Sequence, residues 1–128
     1  MKKKIEINKS DINVDKIEIQ TIAEAMLDKK AKNVISMDLR KIGTSISDYF
    51  VICNADSTTQ VVAISDYIEE MMDTKCNRSV LRKQGKENGF WIILDFINIV
   101  VHVFKTEYRE FYRLEDLWAD AEKQLFEE

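Results

Sequence analysis

The chain has 128 residues, of which 45 % are hydrophobic and 33 % charged, with a formal net charge of −4 and a pI near 5.1. That is one domain's worth of chain with enough apolar matter for a single core, and too much for a disordered segment. The acidity argues against a protein whose principal partner is nucleic acid, and no apolar run approaches the roughly 18 residues of a membrane span.

The first stretch, residues 1–14, holds four lysines and no apolar segment after them. It reads as an N-terminal tail or lead-in to a single domain over residues 15–128, not as a secretory signal. From Asp15, a candidate cap, Ile19, Ile22, Ala23 and Met26 fall on one stripe of a helix that fades near Lys30. Val34–Leu39 alternates as a strand. A polar loop follows, with Gly43, Thr44, Ser45 and Ser47, and a second strand runs over Tyr49–Cys53.

Ser57-Thr58-Thr59-Gln60 fits a capping box. It opens a helix whose inner face carries Val61, Ile64, Ile68, Met71 and Met72 and which ends near Asp73 or Thr74. Ser79–Gln84 is a short strand, and Gly85 and Gly89 bracket the turn after it. Lys75, Arg78, Arg82, Lys83 and Lys86 form a local basic band, whereas residues 107–128 hold eight acids against three bases. Cys53 and Cys76 have no metal-ligand spacing and suit buried thiols of a reducing compartment.

Phe90 to Phe104 is the most hydrophobic run and contains the single histidine. Two β-rich halves flank Asp95-Phe96-Ile97-Asn98, the pattern of a hairpin. A two-residue turn at Phe96-Ile97 places Trp91 opposite His102. A four-residue connection keeps the same faces, and a three-residue one slips the register. One face then carries Phe90, Ile92, Leu94, Ile99, Val101 and Val103, suited to a core. The other carries Trp91, Ile93, Asp95, Val100, His102 and Phe104, apolar with polar edges. Thereafter Thr106 caps a short helix bearing Tyr108, Phe111 and Tyr112. Leu114, Leu117, Trp118, Ala121 and Leu125 predict a final amphipathic helix. The order α-β-β-α-β-β-β-α describes an α/β fold, a single mixed β-sheet with helices mainly on one face.

The residues offer little catalytic chemistry. His102 has no nucleophile fixed beside it by sequence, metal-ligand clusters are missing, and neither GxGxxG nor a P-loop occurs. Gly43-Thr44-Ser45 followed by Asp48 is similar to the nucleotidyltransferase signature, in which two acids one residue apart hold two metal ions. The second acid is replaced by Phe50, so that Asp38 or Asp95 would have to substitute. A residual nucleotidyltransferase-like enzyme is one alternative reading, and an RNA-binding module using the 75–86 basic band is the other.

Five segments, SDYFVI (47–52), S-x-x-Q-V-x-A-I-S-D-x-I (57–68), W-I-I-L-D (91–95), V-V-H-V-F (100–104) and R-E-F-Y-R-L-E-D-L-W (109–118), closely resemble the ribosomal silencing factor family, also called the Iojap family. The likeness spans about residues 17–121, departing where the family usually has glycine, at Ala55, and at the hairpin turn, at Ile97. It implies a nucleotidyltransferase-like fold without the catalytic acids, and no enzyme activity or cofactor. Its implied partner is large-subunit ribosomal protein fourteen, on the face of the large ribosomal subunit that meets the small one. Blocking subunit joining there lowers translation when nutrients are short. Homodimers off the ribosome, a cytoplasmic location and at most minor ribosomal RNA contacts complete the expectation. An exposed second hairpin face supplies the contacts expected: Trp91, Ile93, His102, Tyr49 and Tyr112, with Asp95 at the rim. A C-terminal helix folded over that face through Leu117 and Trp118 would bury it instead.

Overall fold

The computed structural model describes residues 2–42 and 47–127, with side chains from Val14 onward. Six strands form one sheet in the order β3-β4-β5-β2-β1-β6. They are β1 (Lys32–Asp38), β2 (Tyr49–Ala55), β3 (Arg82–Gln84), β4 (Trp91–Asp95), β5 (Ile99–Lys105) and β6 (Glu122–Phe126). The central β2–β5 pair is parallel, and every other pairing is antiparallel.

Helices α1 (Lys2–Asp28) and α2 (Thr58–Cys76) lie against one face. Helix α1 starts well before Asp15, so residues 2–14, read from sequence as a lead-in, carry helical backbone. The expected stripe of α1 is buried as Ile19, Ile22, Ala23 and Met26, and that of α2 as Val61, Ile64, Ile68 and Met72. Ser57 caps α2 by accepting from Gln60 N at 3.1 Å. The Gln60 side chain does not return to Ser57. It donates to the Lys29 and Lys30 carbonyls at the end of α1 instead, exchanging half of the capping box for a tie between helices. Asn77, in the left-handed conformation, closes α2.

The hairpin forms with a register two residues from the one a Phe96-Ile97 turn sets. Trp91 faces Phe104, Ile93 faces His102 and Asp95 faces Val100, leaving a four-residue connection. Phe96 N donates to Ile99 O at 2.9 Å, and Ile97 takes a positive φ of 78° at the tip. A shift of two preserves the face partition, because side chains alternate with a period of two. Ahead of the hairpin, Gly85 has φ +92°, and a Cβ there would lie 2.0 Å from the Trp91 carbonyl oxygen. Glycine is required at that crossing.

The C-terminal expectation is overturned. Residues after Tyr112 form a one-turn helix, α4 (Leu114–Leu117), and then β6, paired along β1 from Asp38↔Glu122 to Val34↔Phe126. The apolar spacing fits a helix, but β1 would otherwise leave its outer backbone groups unpaired, and the chain end satisfies them. Helix α3 (Thr106–Tyr112) forms as expected. Thr106 is not its side-chain cap: the Thr106 hydroxyl donates to Asp56 and accepts from Asn54.

Candidate functional site

The second face of the sheet is a smaller, more aromatic core. Phe50, Val100 and Phe104 are buried there together with Ile35, Met37, Leu39, Ile52, Leu114 and Ala121, with Trp91, Ile93, Tyr108 and Trp118 half-buried against them. Trp118 packs edge-on against Phe50, ring centroids 5.2 Å apart. Leu117 stays 70 % exposed. The segment after the hairpin therefore closes part of this face without sealing Trp91.

Around Trp91 the rings form a ladder. The indole stacks on Phe104 at 4.8 Å and meets Tyr112 at 4.9 Å, and Tyr112 meets Phe111 edge-on at 5.1 Å. Phe90 stacks on Tyr108 at 4.7 Å beside them. Phe111 is 77 % and Tyr112 49 % exposed. Aromatic area left in water on a rigid frame is what interface hot spots are made of. Glu110, Asp116 and Asp120 are exposed on the same stretch of chain, with the exposed Arg113 among them.

His102 lies behind this surface, only 5 % exposed. Its Nδ1 accepts the Trp91 Nε1–H at 3.1 Å, and its ring abuts Phe50 at 4.6 Å. Burial among rings pushes its pKa down to about 3, so the imidazole is neutral. Asp95 accepts from Ile97 N at 2.8 Å and stiffens the hairpin tip.

The structure thus brings together Trp91, Ile93, Tyr112 and, beneath them, His102, with Asp95 further along β4. Tyr49 is not among them. It is buried in the first core, under α1 and α2, with the Arg40 guanidinium 5.1 Å from its ring centre. Residues 49 and 50 point to opposite faces, and Phe50 is the one that reaches the aromatic face. The expected exposure of Val100, His102 and Phe104 also fails, because α3 and the chain to Ala121 cover them. Phe111, absent from the expected contacts, is the most exposed of these rings; its place beside Tyr112 on a two-turn helix was the available signal.

A cleft of about 610 Å³ is lined by Asn33, Asn54, Thr106, Arg109 and Glu115 among others. Its buried cation is engaged on every side. Arg109 pairs with Glu115 through Nε and Nη2 at 3.0 and 3.1 Å, and its Nη1 donates to Asn33 O and Asn54 Oδ1 at 2.6 and 2.9 Å. This joins β1, β2, α3 and α4, a structural role for Arg109.

Three of the five cations of the basic band, Arg78, Lys83 and Lys86, are paired with the protein's own acids, while Lys75 and Arg82 are exposed. Arg78 pairs with Glu18 at 2.8 Å, Lys83 with Glu69 at 3.2 Å, and Lys86 with Glu69 at 2.6 Å and with Asp66. Cations matched to the protein's own acids are poor phosphate ligands. At the nucleotidyltransferase-like positions, Asp48 is exposed, Phe50 is buried, and Asp38 is held by Arg40 at 2.7 Å. Among the described residues, no three of His, Cys, Asp and Glu converge as metal ligands would. Gly43, Thr44 and Ser45 lie outside the described residues.

A family profile described as "Ribosomal silencing factor during starvation" matches residues 13–128. The chain belongs to the ribosomal silencing factor family. It is 35 % identical over 103 residues to the ribosomal silencing factors of Halalkalibacterium halodurans and Bacillus subtilis, covering 80 % of this chain and 86 % of each relative. A crystal structure of a protein from Chromobacterium violaceum superposes with a TM-score of 0.73 at 31 % identity, over 80 % of this chain and 84 % of that one. The family is described by a regulatory action, silencing during starvation, and not by a reaction. Among the described residues no helix is long and apolar enough to cross a membrane.

Proposed function

We propose that this silencing factor represses translation by docking on large-subunit ribosomal protein fourteen and sterically keeping the small subunit from joining. The observation that carries the reading is the partly exposed aromatic ladder of Trp91, Tyr112 and Phe111 on a frame of β4 and α3. Ile93 and Asp95 extend it along β4, and the chain's net charge of −4 suits a basic partner. Buried as they are, His102 and Tyr49 are not direct contacts in this reading. The site of action is the cytoplasm, and off the ribosome the chain pairs with a second copy, as the family resemblance implies.

The test is a pull-down with purified ribosomal protein fourteen and co-sedimentation with large subunits. Trp91→Ala weakens both by about 2 kcal/mol, some thirtyfold, and wild-type protein co-sediments with large subunits but not with joined ribosomes. Unchanged affinity of Trp91→Ala for the purified partner removes the aromatic face from the account.

A further inference from the structure

The pair Trp91–His102 carries a step that rests on the docking reading and deepens it. Among the described residues, His102 Nε2 is the buried side-chain polar atom with no hydrogen-bond partner. With Nδ1 accepting the indole N–H at 3.1 Å, the neutral ring carries its own proton on Nε2, and that N–H is buried without an acceptor. An apolar side chain would fill the site without this cost. It could not hold the indole nitrogen.

Holding that nitrogen matters because of how Trp91 is packed. Phe104 and Tyr112 restrain the plane of the indole, but stacking alone does not choose between the two orientations related by turning the ring about Cβ–Cγ. The hydrogen bond does, since only one places Nε1 toward the sheet. We infer that His102 is a positioning residue of the docking face: from behind the surface its Nδ1 fixes which edge of the Trp91 indole meets the partner. This also accounts for a histidine, rather than a third apolar residue, between the buried Val100 and Phe104 on that face of β5.

The test uses the full chain, large ribosomal subunits, and the Trp91 indole N–H resonance, assigned by its loss in Trp91→Phe. His102→Leu keeps the helical signal by circular dichroism, moves the indole resonance upfield, speeds its exchange with water, and weakens subunit binding about fivefold or more. His102→Asn, whose Oδ1 falls near the place of Nδ1, recovers a large part of both. In the Trp91→Phe background, which lacks the donor, His102→Leu changes affinity less than about twofold, because the bond it breaks is already gone. Equal losses in the two backgrounds, or an unmoved indole resonance, overturn the assignment. If His102→Leu does not fold, His102→Asn decides: it must keep most of the subunit binding and the indole resonance, and loss of both overturns the assignment. Wild-type affinity of Trp91→Ala sinks the docking reading itself, whereas the indole resonance still reports whether the bond exists, so the two failures are distinguishable.

Discussion

The two faces of the sheet are built from alternate residues of the same strands, yet they are closed in different ways. On one side, the aliphatic rows of β2, β4 and β5 meet two long helices, and Ile22, Met26, Ile64, Ile68 and Met72 are completely buried. On the other, Phe50, His102, Phe104 and Trp91 stack against one another under a two-turn helix, a one-turn helix and a loop. The first face is a core and only a core. The second is thin enough for its outer rings to remain at the surface, so that in the docking proposed above the same side chains would serve both packing and recognition.

Phe50→Ala breaks the contrast most severely. That ring is buried, touches both His102 and Trp118, and its loss costs about 4 kcal/mol by urea denaturation. A comparable loss from Ile64→Ala, on the opposite side, would show the thin face to be as well packed as the thick one. Arg109→Ala comes next, at about 3 kcal/mol by the same measurement, because Glu115 and the Asn33 carbonyl lose a buried partner. Helix α3 loosens with it, and the Trp91–Tyr112 contact should fade in the near-ultraviolet circular dichroism.

Between pH 6.5 and 5, acid reads the second face through His102. His102 is neutral in the fold with its pKa near 3, whereas the unfolded chain takes up that proton near pH 6.5. Above pH 6.5 the group makes no difference. Below it, stability falls by about 1.4 kcal/mol per pH unit until the folded pKa is reached, so about 2 kcal/mol is lost by pH 5. Asp15 acts in the opposite sense at lower pH, since burial raises its carboxyl above the usual value. The slope is therefore measured between pH 6.5 and 5, and His102→Asn abolishes it.

Ile97→Asn adds about 1 kcal/mol, because a β-branched residue at φ 78° is strained where Asn is tolerated. Melting temperature checks it, and the partition of residues between faces is unchanged. Smallest is Phe111→Ala, within about 0.5 kcal/mol in stability, since the ring is mostly in water. Its effect belongs to partner binding, which separates recognition from packing within one ladder.

Much of this architecture was legible beforehand for definite reasons. The stripes at Ile19–Met26 and Val61–Met72 bury most of the residues their helical period selects, Met71 staying half-buried. The odd and even residues of β4 and β5 divide between the faces as alternation requires, whereas Phe90, expected on the core face, is exposed and stacks on Tyr108. The site was less legible. Trp91, Ile93 and Tyr112 do come together, but Tyr49 turned to the other side. Strand alternation places residues 49 and 50 on opposite faces without saying which face receives which. Three-dimensional pairing decides that: β2 runs parallel to β5 with Phe50 beside Val100, so the odd residues of β2 join the first core.

By itself, then, the sequence determined local periods, the Ser57 cap, the family and the division of β4 and β5 into two rows. Only the tertiary structure decided the fate of the chain end. Leu114, Leu117, Trp118, Ala121 and Leu125 keep a helical spacing, but residues 122–126 give up that helix to pair with β1, leaving Leu125 71 % exposed. The physical reason is that periodicity records which side chains can share a face, whereas backbone groups along a sheet edge are satisfied by whatever segment the rest of the fold brings within reach.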